Sequence, residues 1–185
     1  QTALVRLADE GWYLDPNGMT LQDPADIAEA YLQGRRDEAE QLLMAHYRSR
    51  LSTIEAELTE HLPSRAAIVR QALEAHRQGL YFVSVPALLA QVDGVCLDLG
   101  GQHFFMRRDK PALERTALEL LEQKDGLAKA MLAPFFTKTS IRLSSGERPK
   151  DFHQLNRHMV LHGEALDYGT EMRSLQALAL LYYVD

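Results

Sequence analysis

The stretch RDEAEQLLMAHYRSRLSTIEAELTEH, residues 36–61, decides the fold class of this chain. Apolar side chains recur in it at spacings of three and four residues, at Leu43, Tyr47, Leu51, Ile54 and Leu58. This period places them on one face of an α-helix, while charged residues occupy the other faces. We therefore expect one long helix that packs this apolar stripe into a core.

Helical periodicity also predicts the elements on either side of residues 36–61. They cover residues 2–9, 23–33, 64–78, 81–92, 111–123, 127–136, 150–162 and 170–183. Cap and turn residues set their ends: Asp23 as an N-cap before Pro24, Ser84 as a cap, Asp93-Gly94 as a stop, Gly163 as a left-handed stop and Thr170 as an N-cap. Only the segment 100–105 could accommodate a strand.

The expected architecture is therefore all-α, an antiparallel helical bundle with an additional N-terminal helical region. We expect helix 81–92 to be the most buried, and helix 150–162 to pack on helix 170–183 across a short loop. His76 shares an apolar face with Val69, Leu73 and Leu80, so we predict a packed, hydrogen-bonded histidine there.

Length and composition bound the organisation of the chain. With 185 residues, 46% of them hydrophobic, it can build one core but hardly two. We divide it into an N-terminal helical region, 1–62, and a helical bundle, 63–185, which together form one continuous unit. Because the first residue is Gln1 and not Met, a processed chain or a piece of a longer protein with a fused partner domain is expected.

Composition also suggests where the protein works. Cys96 is the single cysteine, which excludes an internal disulfide and fits a reducing cytoplasm. The sequence pattern shows no signal peptide and no apolar run of the roughly 18–20 residues that a membrane span needs, so no membrane partner is expected.

The charge of the chain is unevenly distributed. A net charge of −6 argues against a large, indiscriminate nucleic-acid surface. However, residues 135–162 carry five basic side chains against two acidic ones: Lys138, Arg142, Arg148, Lys150 and Arg157 against Glu147 and Asp151. This local excess is either an ordinary solvated strip or a surface that faces phosphate groups.

The basic excess overlaps the stretch NRHMVLHG, residues 156–163, which we call the site segment. It joins an asparagine, an arginine and two histidines to an apolar interior and a glycine stop. Three kinds of chemistry fit it: a metal site, a purely structural helix end, and metal-independent cleavage of RNA.

A metal site would use His158 and His162, which are four residues apart and share a helix face. The protease form of this motif needs a Glu directly after the first His, and Met159 stands there. Glu164 or Asp167 could serve as a third ligand. In the structural alternative, the histidines line the helix or stabilise its carboxyl end. Since nothing else points to a metal, we expect no cofactor.

RNA cleavage needs a cation for the charge that develops on the phosphate and groups that move protons. Arg157 can supply the first and His162 the second. On one ideal helix these two side chains point about 140° apart. Fraying at Gly163, or a second copy of the site across a two-fold axis, would bring them together.

Arg157-His158-x-x-x-His162 resembles the signature of HEPN-domain ribonucleases. That signature is an Arg, a polar residue, and further residues ending in His. The resemblance is specific over residues 150–183 and architectural before them. The resemblance implies a small all-helical domain that pairs as a homodimer and cleaves RNA without metal. It implies Arg157 and His162 as catalytic and His158 as supporting. We expect the neighbouring Asn156, Arg148, Lys150 and Arg142 to bind RNA.

One departure and two further matches qualify the site assignment. Some toxin members carry a Tyr two residues after the final His, where this chain has Glu164. The pairs Arg148–His153, five residues apart, and Arg70–His76, six apart, also fit the spacings that the signature allows but lack the context of the site segment. The resemblance implies a cytoplasmic toxin or anti-phage effector with a possible antitoxin. The alternative is a non-catalytic helical module that binds nucleotide or RNA, or dimerises, within a longer protein.

Overall fold

The computed structural model describes residues 3–20, 22–100 and 126–185, and in these ranges every regular element is helical. The helices are α1 Ala3–Asp9, α2 Asp23–Leu32, α3 Arg36–His61, α4 Ala66–Arg77, α5 Tyr81–Gly100, α6 Gly126–Phe136, a 3-10 turn Ser140–Arg142, α7 Arg157–Leu161 and α8 Glu171–Val184. The predicted all-helical bundle is confirmed. The predicted helix 111–123 and most of the possible strand 100–105 lie outside the described residues.

The apolar stripe of α3 is buried as its spacing predicts. Leu43, Tyr47, Ile54 and Leu58 are completely inaccessible to solvent, and Leu51 is partly buried against them. They belong to a single core whose residues come from positions between Leu7 and Val184 in the chain. Residues on both sides of position 62, where the predicted N-terminal region ends, therefore share this core. The N-terminal helices and the later bundle thus pack on the same apolar interior.

Of the helices that the structure describes, α8 is the most buried, and not, as predicted, the helix that begins at Tyr81. Ten of the 14 residues of α8 are buried, whereas half of residues 81–98 are. The reason is position, because α8 packs against both α3 and α5. Its apolar and small residues meet a neighbour on nearly every side.

Specific contacts fix the directions of the helices. Arg65 near the start of α4 bonds Asp98 late in α5, so these two helices run antiparallel. Against α3, the C-terminal helix α8 runs parallel. Arg48, near the middle of α3, pairs with Glu171 at the start of α8, and His61 pairs with Asp185 where both helices end.

Helix α5 continues past the predicted stop at Asp93-Gly94 to Gly100. Val95 and Cys96 are buried, so packing overrides the turn preference of the Asp-Gly pair. A Cβ at Gly94 would overlap the guanidinium of Arg65, which bonds Gln91 and Asp98 across that position. Glycine therefore serves close packing here, not termination.

The extension gives α5 the length and apolar composition of a membrane-spanning helix over residues 81–98, the one such stretch in the described ranges. Half of these residues are buried inside the protein, as in a core helix. Ser84 lies within the first turns instead of capping them, and its hydroxyl contacts that of Ser174 in α8.

Two other predictions in this region meet different outcomes. His76 is 6% exposed, and its Nδ1 lies 2.8 Å from the hydroxyl oxygen of Ser174, which confirms the packed histidine. Burial lowers its pKa. Leu80 is instead 50% exposed, because Gly79 adopts a left-handed conformation and turns the chain away from the helix face.

The predicted N-cap of α2 is shifted by one residue. The N-cap is Gln22, and Asp23 is the first helical residue.

The predicted helix 150–162 is wrong over its first seven residues, since α7 spans only Arg157–Leu161. Asn156 is extended, with φ −135° and ψ 122°, and its side chain accepts a hydrogen bond from the Met159 amide. Asparagine favours such caps over helix interiors because its side chain competes for backbone groups. The main neighbours of α7 are α5 and the 3-10 turn, not, as predicted, α8.

Candidate functional site

Asn156 anchors the site segment to the rest of the protein. Its Oδ1 caps α7 by accepting from the Met159 amide at 3.1 Å. Its Nδ2 donates to the carbonyls of Ser140 and Leu143 at 2.8 and 2.9 Å. Because Asn156 is 2% exposed and both ends of its amide are engaged, the structure gives it a positioning role and leaves no surface for RNA.

Arg157 lies in the first turn of α7 and points toward α5. Its Nη2 is 3.2 Å from Oδ2 of Asp93, and its side chain is 26% exposed. Asp93 was not predicted as a partner, because the pair Asp93-Gly94 is typical of a helix stop. The sequence nevertheless contains a signal for such a partner. Asp93 is the single carboxylate in the mostly apolar stretch Tyr81–Leu97, and a charge on a buried face needs a counter-charge.

His158, the residue after Arg157, and His162, the C-cap of α7, lie side by side on a helix face that Arg157 does not share. Their ring centroids are 4.2 Å apart, as the spacing of four on one helix predicts. His162 is the C-cap residue, and Gly163 follows with φ 72°, which confirms the left-handed stop. The chain reversal brings Glu164 back beside the histidines, because the amides of Glu164 and Ala165 both bond the Met159 carbonyl.

The carboxylate of Glu164 joins the histidines to Arg148. Its Oε2 accepts from Nη2 of Arg148 at 2.7 Å, and its Oε1 lies 3.3 Å from Nε2 of His158. The hydrogen bond from Arg148 lowers the pKa of Glu164, and the charges of Arg148, His158 and His162 act in the same direction. We call these four residues the Arg148 cluster.

The structure thus divides the residues predicted for catalysis into two groups. His158 and His162 share the Arg148 cluster, whereas the guanidinium of Arg157 contacts Asp93. Within one chain, the arginine that Glu164 joins to His158 is Arg148.

The remaining basic residues of the predicted phosphate-facing strip are mostly engaged in the fold. Lys138 pairs with Glu147, and Arg142 donates to the Phe135 carbonyl at 2.7 Å. Lys150 is exposed and forms no ion pair with any residue that the structure describes. Internal contacts therefore satisfy much of the local positive charge that the sequence count revealed.

The geometry gives little support to the alternative of a metal site. In residues 3–20, 22–100 and 126–185, no three His, Cys, Asp or Glu side chains are arranged to hold a metal ion. Glu164 lies beside His158, but Arg148 holds its carboxylate.

A second polar group, which the sequence did not predict, surrounds the buried carboxylate of Asp15. Its Oδ2 lies 2.8 Å from Nε2 of His46 and 3.0 Å from Nε of Arg50. Asn17 continues the group to the hydroxyl of Tyr182 in α8 at 2.7 Å. We call it the Asp15 network. It joins the turn after α1 to α3 and α8. These elements are far apart in the chain, so no local sequence pattern predicts the contacts between them.

Comparison of this chain with protein-family models, with curated proteins and with solved structures found no match to any of them.

Proposed function

We propose that this protein cleaves RNA without a metal ion, through the Arg148 cluster. The observation that carries the proposal is that one carboxylate, that of Glu164, joins a guanidinium to the first of two adjacent imidazoles at one chain reversal. These are the groups that phosphoryl transfer to a 2′-hydroxyl needs: a cation for the phosphate, a base and an acid.

In the proposed reaction one histidine removes the proton of the 2′-hydroxyl, and the 2′-oxygen bonds to phosphorus. The bond from phosphorus to the 5′-oxygen then breaks. The other histidine, protonated, gives its proton to the leaving 5′-oxygen, and a 2′,3′-cyclic phosphate remains. A guanidinium fork neutralises the charge that grows on the non-bridging oxygens. Histidine suits both roles because its two protonation states are populated near neutral pH.

The position of Arg157 argues for a second copy of the chain. Its guanidinium faces α5 within one molecule, while the HEPN resemblance assigns it to the phosphate. We therefore include a homodimer in the proposal, in which residues 150–168 of two copies face each other and pool their cations. Light scattering at micromolar concentration measures this; a monomer with full cleavage activity would remove the dimer from the proposal.

The biological role proposed from the resemblance is that of a cytoplasmic toxin or anti-phage effector of HEPN type, held in check by an antitoxin or fused domain. Control of this kind fits a nuclease whose substrate is the RNA of its own cell.

Cleavage of bulk RNA in excess EDTA tests the proposal. His162→Ala should lower the rate by roughly 100-fold or more, the usual contribution of a general acid or base. His153→Ala is the matched control, because His153 is exposed, lies on the same stretch and is outside the Arg148 cluster. Both variants should keep the wild-type melting temperature.

Two outcomes would overturn the proposal. Equal rates for the two histidine variants would show that the Arg148 cluster does not cleave RNA. Retained RNA binding without any cleavage would instead favour the alternative of a non-catalytic binding module. Arg157→Ala adds a further test: a lower rate at unchanged melting temperature supports a catalytic Arg157, and a lower melting temperature assigns it to the contact with Asp93.

A further inference from the structure

Glu164 holds two cationic side chains of the Arg148 cluster at once. One carboxylate oxygen accepts from Arg148 and the other faces His158, so each oxygen has its own partner. The ring of His162 lies beside that of His158. An anion with two oxygens and a delocalised charge therefore already sits where the guanidinium and the imidazoles converge.

Arg148 is the most buried of the three side chains that meet in this contact. The side chain of Arg148 is 10% exposed, whereas those of Glu164 and His158 are 40% and 41% exposed. The backbone of Glu164 is fixed separately by the bonds of its own amide and that of Ala165 to the Met159 carbonyl, at 2.8 and 3.0 Å. Rotation of the Glu164 side chain can therefore move the carboxylate into water while the guanidinium stays.

We propose that Arg148, His158 and His162 form a phosphate-binding site that Glu164 occupies in the resting protein and leaves when a phosphate group enters. The two non-bridging oxygens of a phosphodiester can replace the two oxygens of the carboxylate, one bonded to the guanidinium and the other facing His158. That the phosphate belongs to RNA rests on the proposed function. Glu164 then acts as an internal competitor that keeps the site closed to weakly bound anions.

The test measures the binding of inorganic phosphate by the NMR signals of the imidazole rings of His158 and His162 in the full chain. Glu164→Gln keeps the size and the backbone of the residue and removes its charge. We expect it to bind phosphate about tenfold more tightly than wild type, because one like charge and one competing partner are lost. Asp167→Asn is the matched control, since Asp167 is exposed on the same loop and pairs with none of the described residues.

The arginine is tested in the Glu164→Gln background. Adding Arg148→Gln should abolish the gain in affinity, while the melting temperature reports whether the double variant still folds. Arg148→Lys is the second variant, which keeps the charge but loses the fork, and it should restore only part of the affinity. Phosphate affinity that is equal in wild type and Glu164→Gln, or unaffected by either change of Arg148, would overturn the inference.

Short RNA and DNA oligonucleotides then separate this inference from the proposed function. If Glu164→Gln tightens the binding of phosphate and no variant cleaves RNA, the anion site stands and the nuclease proposal fails. If wild type cleaves RNA and Glu164→Gln changes neither the phosphate affinity nor the cleavage rate, the nuclease proposal stands and the anion site fails. If both stand, Glu164→Gln should cleave RNA faster at subsaturating concentration, and the DNA should bind without being cleaved, because it lacks the 2′-hydroxyl.

Discussion

Asn156 decides where the short helix α7 begins and how it is attached. It caps the helix with its oxygen and ties it to the 3-10 turn with its nitrogen, through the carbonyls of Ser140 and Leu143. A five-residue helix has almost no stability of its own, because nucleation costs more than so few bonds return. The placement of His158 and His162 therefore depends on this amide, together with the buried side chain of Val160 and the contact of Arg157 with Asp93.

Asn156→Ala should destabilise the protein by about 2–4 kcal/mol in urea unfolding. The estimate combines the loss of an N-cap with two buried carbonyls that lose their donor. Asn156→Asp is the informative control, because it keeps the capping oxygen and replaces the donor by a carboxylate oxygen that faces the two carbonyls. If the Asp variant were as stable as wild type, the bonds to the carbonyls would contribute nothing, and the amide would act as a cap alone.

Helix α5 carries a proline in its interior that a residue of the α7–α8 loop compensates. Pro86 has no N–H to give to the carbonyl of Phe82, four residues earlier. The hydroxyl of Tyr168 donates to this carbonyl at 3.3 Å, and its ring packs on that of Phe82 with centroids 5.1 Å apart. Thus the loop that follows the site segment is tied to α5 at the place where the helix lacks a bond.

A double-mutant cycle tests this compensation. Tyr168→Phe should cost about 0.5–1.5 kcal/mol in the wild-type background, the usual net contribution of one hydrogen bond. In the Pro86→Ala background the same change should cost almost nothing, since the backbone amide of the introduced alanine can then bond the Phe82 carbonyl. Pro86→Ala alone should stabilise the protein, because proline is unfavourable inside a helix. Equal costs of Tyr168→Phe in both backgrounds would contradict the link.

At the scale of the whole molecule, the Asp15 network holds the N-terminal segment on α3 and α8. Asp15 is completely buried, and burial by itself disfavours its charge. The hydrogen bonds from Arg50 and His46 outweigh this effect and lower its pKa below the ordinary value. The amides of Asn17 and Gly18 also donate to Oδ1, at 3.0 and 2.8 Å, which closes the turn.

This network should contribute to the loss of stability in acid. Because the pKa of Asp15 is lower in the folded than in the unfolded protein, its contribution is complete above about pH 4, where the unfolded side chain is ionised, and disappears as the pH falls through the folded value. Asp15→Asn should therefore cost about 3 kcal/mol at pH 7, the range for breaking a buried pair. Urea unfolding from pH 7 down to pH 2 should show this difference shrinking; a constant difference would rule out the ionised carboxylate as its source.

The sequence alone determined the fold class and most helix bounds. The predicted ends of residues 36–61 are those of α3, and Gly163 and Thr170 act as the stop and the cap that their residue types predict. These features depend on neighbours within a few residues, through apolar spacing, caps and backbone preference. The packed contact of His158 with His162 was predictable for the same reason.

Only the tertiary structure decided what joins residues that are distant in the chain. It continues α5 through Asp93-Gly94, because burial of Val95 and Cys96 outweighs a local turn preference. It pairs Arg157 with Asp93, and it joins Arg148 to His158 through the carboxylate of Glu164. Which arginine is joined to a given histidine depends on how α5, α7 and the preceding loop pack. The spacing of residues along one helix does not predict that packing.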